Sequence, residues 1–126
     1  METILVVDDD VDLLLVLQHA LNANGYNAAT LADGSKVMET IEAIKPGIIV
    51  LDINMGEWNG CAICAAIKNM AAWQHIPVVL YSGVAADKSI ISNSKADLFL
   101  QKPLSTNYFL QQIATLQQEK SSFYRQ

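Results

Sequence analysis

The chain has 126 residues, of which 52% are hydrophobic and 17% are charged. This composition excludes a disordered or fibrous protein and predicts one globular domain spanning residues 1–126. Eight Lys and Arg residues against thirteen Asp and Glu residues give a formal net charge of −5, and because nucleic acids and anionic membranes bind clustered basic residues, we expect neither as a direct partner.

The N-terminal residues lack the basic start and long apolar region of a secretory signal. No apolar run approaches the roughly 18 residues that would span a bilayer. We therefore expect a soluble, cytoplasmic protein.

Five short apolar runs alternate with segments whose apolar residues recur at helical spacing. The apolar runs predict strands at Ile4–Val7, Tyr26–Leu31, Ile48–Leu51, Val78–Tyr81 and Leu98–Leu100. The segments between them predict helices near residues 10–24, 34–44, 59–70, 85–95 and 105–120. Strand and helix alternation predicts a parallel sheet, and the continuously apolar first, third and fourth runs indicate helices on both faces. We therefore predict a doubly wound α/β fold.

The last predicted helix continues through polar residues to Arg125. This polar end either completes the domain or leads into a linker.

Polar side chains follow four of the five predicted strands. In open parallel sheets, ligands bind at the carboxyl ends of the strands, so we expect these side chains to lie together at one edge. In chain order they are Asp8, Asp9 and Asp10, then Asp52, then Ser82, and finally Lys102.

Carboxylates packed at one edge repel each other unless a cation neutralises them. Asp8, Asp9 and Asp52 offer the hard oxygen ligands that suit Mg²⁺ (or Mn²⁺). Lys102 and Ser82 suit phosphate oxygens, and one carboxylate would act as the nucleophile. The pattern therefore predicts metal-assisted phosphoryl transfer; the alternative is that the first three acids only cap a helix and Asp52 only begins a turn.

Four segments closely resemble the receiver domain of two-component response regulators, and the resemblance covers essentially the whole chain. They are ILVVDDD at residues 4–10, IVLDINMGEWNG at 49–60, VVLYSG at 78–83 and LFLQKP at 98–103. The resemblance implies a flavodoxin-like fold, with a five-stranded parallel sheet of order 2-1-3-4-5 and five helices on both faces.

The resemblance also implies how the phosphoryl group is received. Asp52 would accept it from a sensor histidine kinase or a histidine phosphotransfer protein. Asp8 and Asp9 would hold the metal, together with Asp52 and the backbone carbonyl of Asn54.

Three further positions match the residues by which the family responds to phosphorylation. Ser82 and Lys102 would contact the phosphoryl oxygens. Phe99 would be the aromatic switch that turns inward when Ser82 moves. The bond between Lys102 and Pro103 would be a cis peptide.

The function implied is a switch and not an enzyme, with only metal-dependent self-phosphorylation and self-dephosphorylation. Phosphorylation would control the binding of a downstream target protein or an attached output domain. The protein would be a monomer or a weak, phosphorylation-dependent dimer.

The chain departs from the family pattern at two positions and in one length. Gly56 stands where the family usually has proline, and Lys95 stands where it commonly has glycine. The segment from Ser82 to Lys102 is slightly short. We therefore expect the fourth helix and the surface around it to differ.

Two alternatives belong to other functional classes. A phosphatase of the haloacid dehalogenase type would use Asp8 as nucleophile, since residues 8–11 fit the Asp-x-Asp-x-Val motif; it would need an acidic pair after Lys102, where only Glu119 is found. A flavodoxin-like electron carrier would need a phosphate-binding loop rich in Ser, Thr and Gly after the first strand, where this chain is acidic.

Smaller signals concern packing and docking. Cys61 and Cys64 are three residues apart, and we expect them to be buried core residues and not a redox pair. The segment Leu13–Leu17 is apolar almost all round the helix, which fits plain burial or the docking of a phosphodonor. Trp58 follows Asp52 closely and is expected to be partly exposed.

Overall fold

The computed structural model describes residues 2–83, 88–103 and 105–125. Five parallel strands form one sheet: β1 (Thr3–Val7), β2 (Asn27–Leu31), β3 (Ile48–Asp52), β4 (Val78–Ser82) and β5 (Leu98–Gln101). Their order is β2-β1-β3-β4-β5, as the resemblance implied. The helices are α1 (Val11–Ala23), α2 (Val37–Ile44), α3 (Gly60–Lys68), α4 (Lys88–Ser94) and α5 (Thr106–Arg125).

The predicted strands agree closely with the observed ones, because each differs by one residue at one end. The helices differ more. The predicted helix at 34–44 begins as a 3₁₀ turn, Gly34–Lys36, and the last helix extends beyond residue 120. The fourth helix is present at Lys88–Ser94, and the predicted positions 85–87 lie outside the described residues.

Two hydrophobic clusters cover the two faces of the sheet, which confirms the doubly wound architecture. One cluster joins the sheet to α1 and α5, with Leu14, Leu17, Leu21, Phe109, Ile113 and Leu116 as its buried helix residues. The other joins it to α2 and α3, with Val37, Ile41, Cys61, Ile63, Cys64 and Ile67. Helix α4 packs beside α3. Because both faces are covered, β3 is buried along its length and β1 is buried from Ile4 onward.

Cys61 and Cys64 are both free and buried in the cluster under α3. Burial raises the pKa of both thiols, that of Cys64 to about 11. Such thiols are protonated at neutral pH and unreactive. Their packing role is therefore confirmed.

A small antiparallel hairpin follows β3 and was not predicted. It pairs Asn54–Met55 with Trp58–Asn59 around a loop of Gly56 and Glu57. Gly56 has a φ of 60° at the first loop position, where type II′ turns require glycine. The residue that departs from the family's proline thus forms a tight turn directly after the acidic edge.

Gly60, the first residue of α3, packs against the backbone of β3. A Cβ atom at this position would collide with the carbonyl oxygen of Asp52 and would lie 2.9 Å from the Cα of Ile53. Asn59 caps the helix here, since its Oδ1 accepts the N–H of Cys61 at 2.8 Å. The absence of a side chain at Gly60 therefore fixes how closely α3 approaches Asp52.

Lys95 ends α4 in the left-handed region, with a φ of 61°. Its N–H donates to the carbonyl of Ser92 at 3.2 Å and closes the helix. The backbone therefore keeps the conformation that suits glycine, although the chain has lysine at this position.

Among residues 2–83, 88–103 and 105–125, no helix is long and apolar enough to cross a membrane.

We expect Gly60→Ala to lower the free energy of unfolding by about 1–3 kcal/mol, because the added methyl meets backbone atoms that cannot move aside cheaply. Urea unfolding monitored by circular dichroism measures the effect. Gly83→Ala is the matched control, since its Cβ would come no closer than 3.9 Å to the Cβ of Lys102. Equal unfolding midpoints for the two variants would contradict the packing argument.

Lys95→Gly should raise the free energy of unfolding by about 0.5–1 kcal/mol, because relief of the left-handed backbone exceeds the added chain entropy of glycine. Lys36→Gly is the control, since Lys36 is exposed and has a φ of −104°. That variant gains no strain relief and should be destabilised. The same measurement checks both, and a loss of stability for Lys95→Gly would refute the argument.

Candidate functional site

Asp8 directly follows β1 and is fully buried. Its Oδ2 accepts the hydroxyl of Tyr81 at 2.5 Å and the ammonium of Lys102 at 2.9 Å. Its Oδ1 accepts the N–H of Asp10 at 2.9 Å. Burial alone raises the pKa of Asp8, but these donors outweigh it and hold the pKa below its usual value. Asp8 is therefore a buried, ionised carboxylate.

Asp52 ends β3 and is only 5% exposed. Its Oδ2 lies 3.6 Å from the Nζ of Lys102, and its Oδ1 accepts the N–H of Asn54 at 3.3 Å. Burial and the charge of Asp8 raise the pKa of Asp52 to about 6, although Lys102 opposes the shift. The Asp52 carboxylate is thus ionised and available as a nucleophile at neutral pH.

Asp9 is exposed and completes a group of three acids. One carboxylate oxygen from each of Asp8, Asp9 and Asp52 lies within 4.8 Å of the others. This donor set consists of hard oxygens, and the charge of Asp8 adds to burial in raising the pKa of Asp52. The residues therefore fit the predicted Mg²⁺. The backbone carbonyl of Asn54 as a further ligand stays a prediction.

Lys102 directly follows β5 and pairs with both buried acids. It pairs with Asp8 at 2.9 Å and with Asp52 at 3.6 Å, and its Nζ is 4.4 Å from the centre of the Tyr81 ring. The peptide bond from Lys102 to Pro103 is cis, in agreement with the resemblance. Lys102 is therefore positioned by two acids and by an aromatic ring.

Ser82 is buried at the end of β4, and its Oγ accepts the side-chain amide of Asn54 at 3.1 Å. This contact joins the segment after β3 to the end of β4. Sequence reasoning assigned only the backbone of Asn54 to the site and missed its side chain.

Phe99 is half-buried in β5, where it is paired with Leu80 and packs against the cluster that contains Leu80. Because alternate residues of a strand share a face, Leu80 and Ser82 point to the same side of the sheet. Phe99 and Ser82 are therefore on one face, as a switch that couples them would require.

Two further residues lie beside the acidic edge. Asp10 caps α1, since its side chain accepts the N–H groups of Asp12 and Leu13 at 3.1 and 3.2 Å. The helix-cap alternative thus applies to Asp10 and not to Asp8. Trp58 is 41% exposed, which agrees with its predicted exposure.

The apolar segment of α1 is divided between the core and the surface. Leu14 and Leu17 are buried, whereas Val11, Leu15 and Val16 are exposed in the first turns after the acidic edge. Burial alone therefore explains only part of this segment.

Tyr81 is the main site residue that the sequence analysis missed. It stands at the end of an apolar strand, and the sequence pattern there does not distinguish a tyrosine from another core residue. Burial and the contact with Asp8 raise the pKa of the Tyr81 hydroxyl, which therefore remains a donor. The sequence did contain a signal for Tyr81. It stands one residue before Ser82, so its side chain lies at the same end of the strand but on the opposite face of the sheet.

Comparisons with known proteins agree with this geometry. RcaC of Microchaete diplosiphon is 33% identical over 104 residues, which are 80% of this chain and 16% of that protein. The transcriptional regulatory protein PrrA of Mycobacterium tuberculosis is 31% identical over 121 residues, which are 94% of this chain and 51% of that protein. The chain thus spans about half the length of these relatives or less.

A solved structure shares the fold. The CheY-like response regulator receiver domain protein of Methanospirillum hungatei has a TM-score of 0.90 at 21% identity, over 97% of this chain and 98% of that one.

The family model described as the response regulator receiver domain matches residues 4–114. This match gives no support to the phosphatase or the electron-carrier alternative. Together with the arrangement of the three acids, Ser82 and Lys102, it shows that the chain belongs to the receiver domain family of two-component response regulators.

Proposed function

We propose that the chain is a phosphorylation-controlled switch whose acceptor is Asp52. The observation that carries this proposal is the pairing of a buried Asp52 carboxylate with Lys102, 3.6 Å away, inside a group of three acids. Asp8 is held by three protein donors, whereas Asp52 keeps Oδ2 directed toward the lysine. Asp52 is therefore the better nucleophile.

The proposed donor is a phosphohistidine of a sensor histidine kinase or a histidine phosphotransfer protein, which family membership supports. A carboxylate oxygen of Asp52 attacks phosphorus, the new O–P bond forms as the N–P bond breaks, and the imidazole leaves with the electron pair. Lys102 and Ser82 bind the phosphoryl oxygens. Mg²⁺ (or Mn²⁺), held by Asp8, Asp9, Asp52 and the carbonyl of Asn54, would supply further positive charge.

The response follows from the contacts of the unmodified site. A phosphoryl group adds about −1.5 to −2 charge at Asp52, which draws Lys102 away from Asp8. Ser82 exchanges the amide of Asn54 for a phosphoryl oxygen, and Phe99 turns toward the space that Ser82 leaves. These shifts bias the equilibrium between two conformations.

The output is binding and not turnover, apart from metal-dependent self-phosphorylation and self-dephosphorylation. The partner is a downstream target protein or an attached output domain, and we assign no nucleic acid or membrane as a direct partner of this domain. We assign residues 1–126 to one cytoplasmic domain, which acts as a monomer or a weak, phosphorylation-dependent dimer.

Acetyl phosphate with Mg²⁺ tests the acceptor. Intact mass should show one added phosphoryl group on the wild type and none on Asp52→Asn. Asp12→Asn, which changes an exposed acid in the first turn of α1, should be modified like the wild type. Modification of Asp52→Asn would overturn the assignment. Phosphate-ester turnover that Asp8→Asn abolishes and Asp52→Asn retains would instead support the phosphatase alternative.

The raised pKa of Asp52 also predicts how the metal-free protein responds to pH. Since its pKa rises from 3.8 to about 6 in the fold, the native state binds more protons than the unfolded chain between these values. The contribution of Asp52 to the free energy of unfolding therefore falls as pH rises through this interval. Asp52→Asn should raise the free energy of unfolding by about 1–3 kcal/mol at neutral pH and by less near pH 4.

Chemical denaturation in the presence of a chelator, at both pH values, measures this difference. Asp12→Asn is again the control, because its exposed carboxylate has no part in the buried group. A gain for Asp52→Asn that is the same at both pH values would contradict the charge-burial argument.

A further inference from the structure

Tyr81 is almost completely buried on the face of the sheet covered by α1 and α5. Its ring packs in that core, while its hydroxyl reaches the acidic edge and donates to Oδ2 of Asp8 at 2.5 Å. The residue therefore links the core to one of the three acids. Neither the sequence motifs nor the family match assigns it a role.

The hydrogen bonds of Asp8 show which acceptor positions of its carboxylate are already occupied. A carboxylate has about four acceptor positions, two on each oxygen. At Oδ2, Tyr81 and Lys102 both donate, and at Oδ1 the N–H of Asp10 donates. Tyr81 thus occupies one of the two positions on Oδ2, which a cation, or a water bound to it, could otherwise use.

The ring of Tyr81 acts on Lys102 as well. The lysine Nζ is 4.4 Å from the ring centre, which is within the range of a cation–π contact. The same ammonium is 2.9 Å from Asp8 and 3.6 Å from Asp52. Tyr81 therefore supports Lys102 on the side of Asp8.

We propose that Tyr81 is a positioning residue that lowers the affinity of the unphosphorylated site for a divalent cation by occupying Oδ2 of Asp8. The proposal rests on the proposed function, because it concerns the same cation. In the absence of the cation, the hydroxyl partly replaces it, since a fully buried carboxylate needs donors to remain ionised.

Tyr81→Phe tests the role of the hydroxyl separately from that of the ring. It retains the buried ring and its contact with Lys102 and removes one donor from Asp8. Tyr108→Phe is the matched control, because Tyr108 is an exposed tyrosine of α5. Titration with Mg²⁺ is followed by tryptophan fluorescence, for which the exposed Trp58 is a reporter next to the site.

The Kd for Mg²⁺ should fall about three- to tenfold in Tyr81→Phe, the range that corresponds to the net worth of one hydrogen bond. It should not change in Tyr108→Phe. Thermal unfolding gives a second measurement. Without metal, Tyr81→Phe should melt below the wild type, and saturating Mg²⁺ should raise its Tm by more than it raises that of the wild type.

The possible failures are distinguishable. If the wild type binds Mg²⁺ and accepts phosphate from acetyl phosphate, but Tyr81→Phe has an equal or higher Kd, this inference is overturned and the proposed function stands. A Tm that is lowered equally with and without Mg²⁺ would show that the hydroxyl only supports packing. If the wild type binds no Mg²⁺ and forms no adduct, the proposed function fails and the inference fails with it.

Discussion

The close approach of two buried carboxylates at the end of neighbouring strands is the constraint on which this structure depends. β1 and β3 are paired in the centre of the sheet, and this pairing places Asp8, which follows β1, beside Asp52 at the end of β3. Burial and the charge of Asp8 together raise the pKa of Asp52, and Lys102 offsets only part of that rise. The fold therefore maintains a site with excess negative charge, which favours any cation that enters it.

Covering both faces of the sheet makes this constraint rigid. Helices α1 and α5 pack on one side and α2 and α3 on the other, so the ends of the central strands are positioned from both sides. Gly60 brings α3 against the backbone of Asp52 itself. The hydrophobic core is thus part of the site, because it prevents the acids from relaxing into solvent.

The sequence predicts the fold and most of the site for physical reasons that can be named. A strand buried on both faces must be apolar along its length, and parallel strands bring their carboxyl ends together, so the acids, Ser82 and Lys102 could be assigned without coordinates. The hairpin at Gly56 could not be predicted, because two-residue strands show no periodicity. Tyr81 and the side chain of Asn54 escaped because their partners, Asp8 and Ser82, are distant in sequence and are chosen by packing. At Lys95 the sequence differs from the family pattern, but the backbone retains a conformation that favours glycine.

Asn54 connects the ends of two neighbouring strands through two hydrogen bonds. Its backbone N–H donates to Oδ1 of Asp52, and its side-chain amide donates to Oγ of Ser82. A single residue thus spans the ends of β3 and β4 without using the hydrophobic interior. A change at the Asp52 carboxylate can reach the neighbouring strand through rotation of one exposed side chain, with no repacking of the core as its first step. The first step of the response would then run along the edge of the sheet, from strand to strand through polar groups.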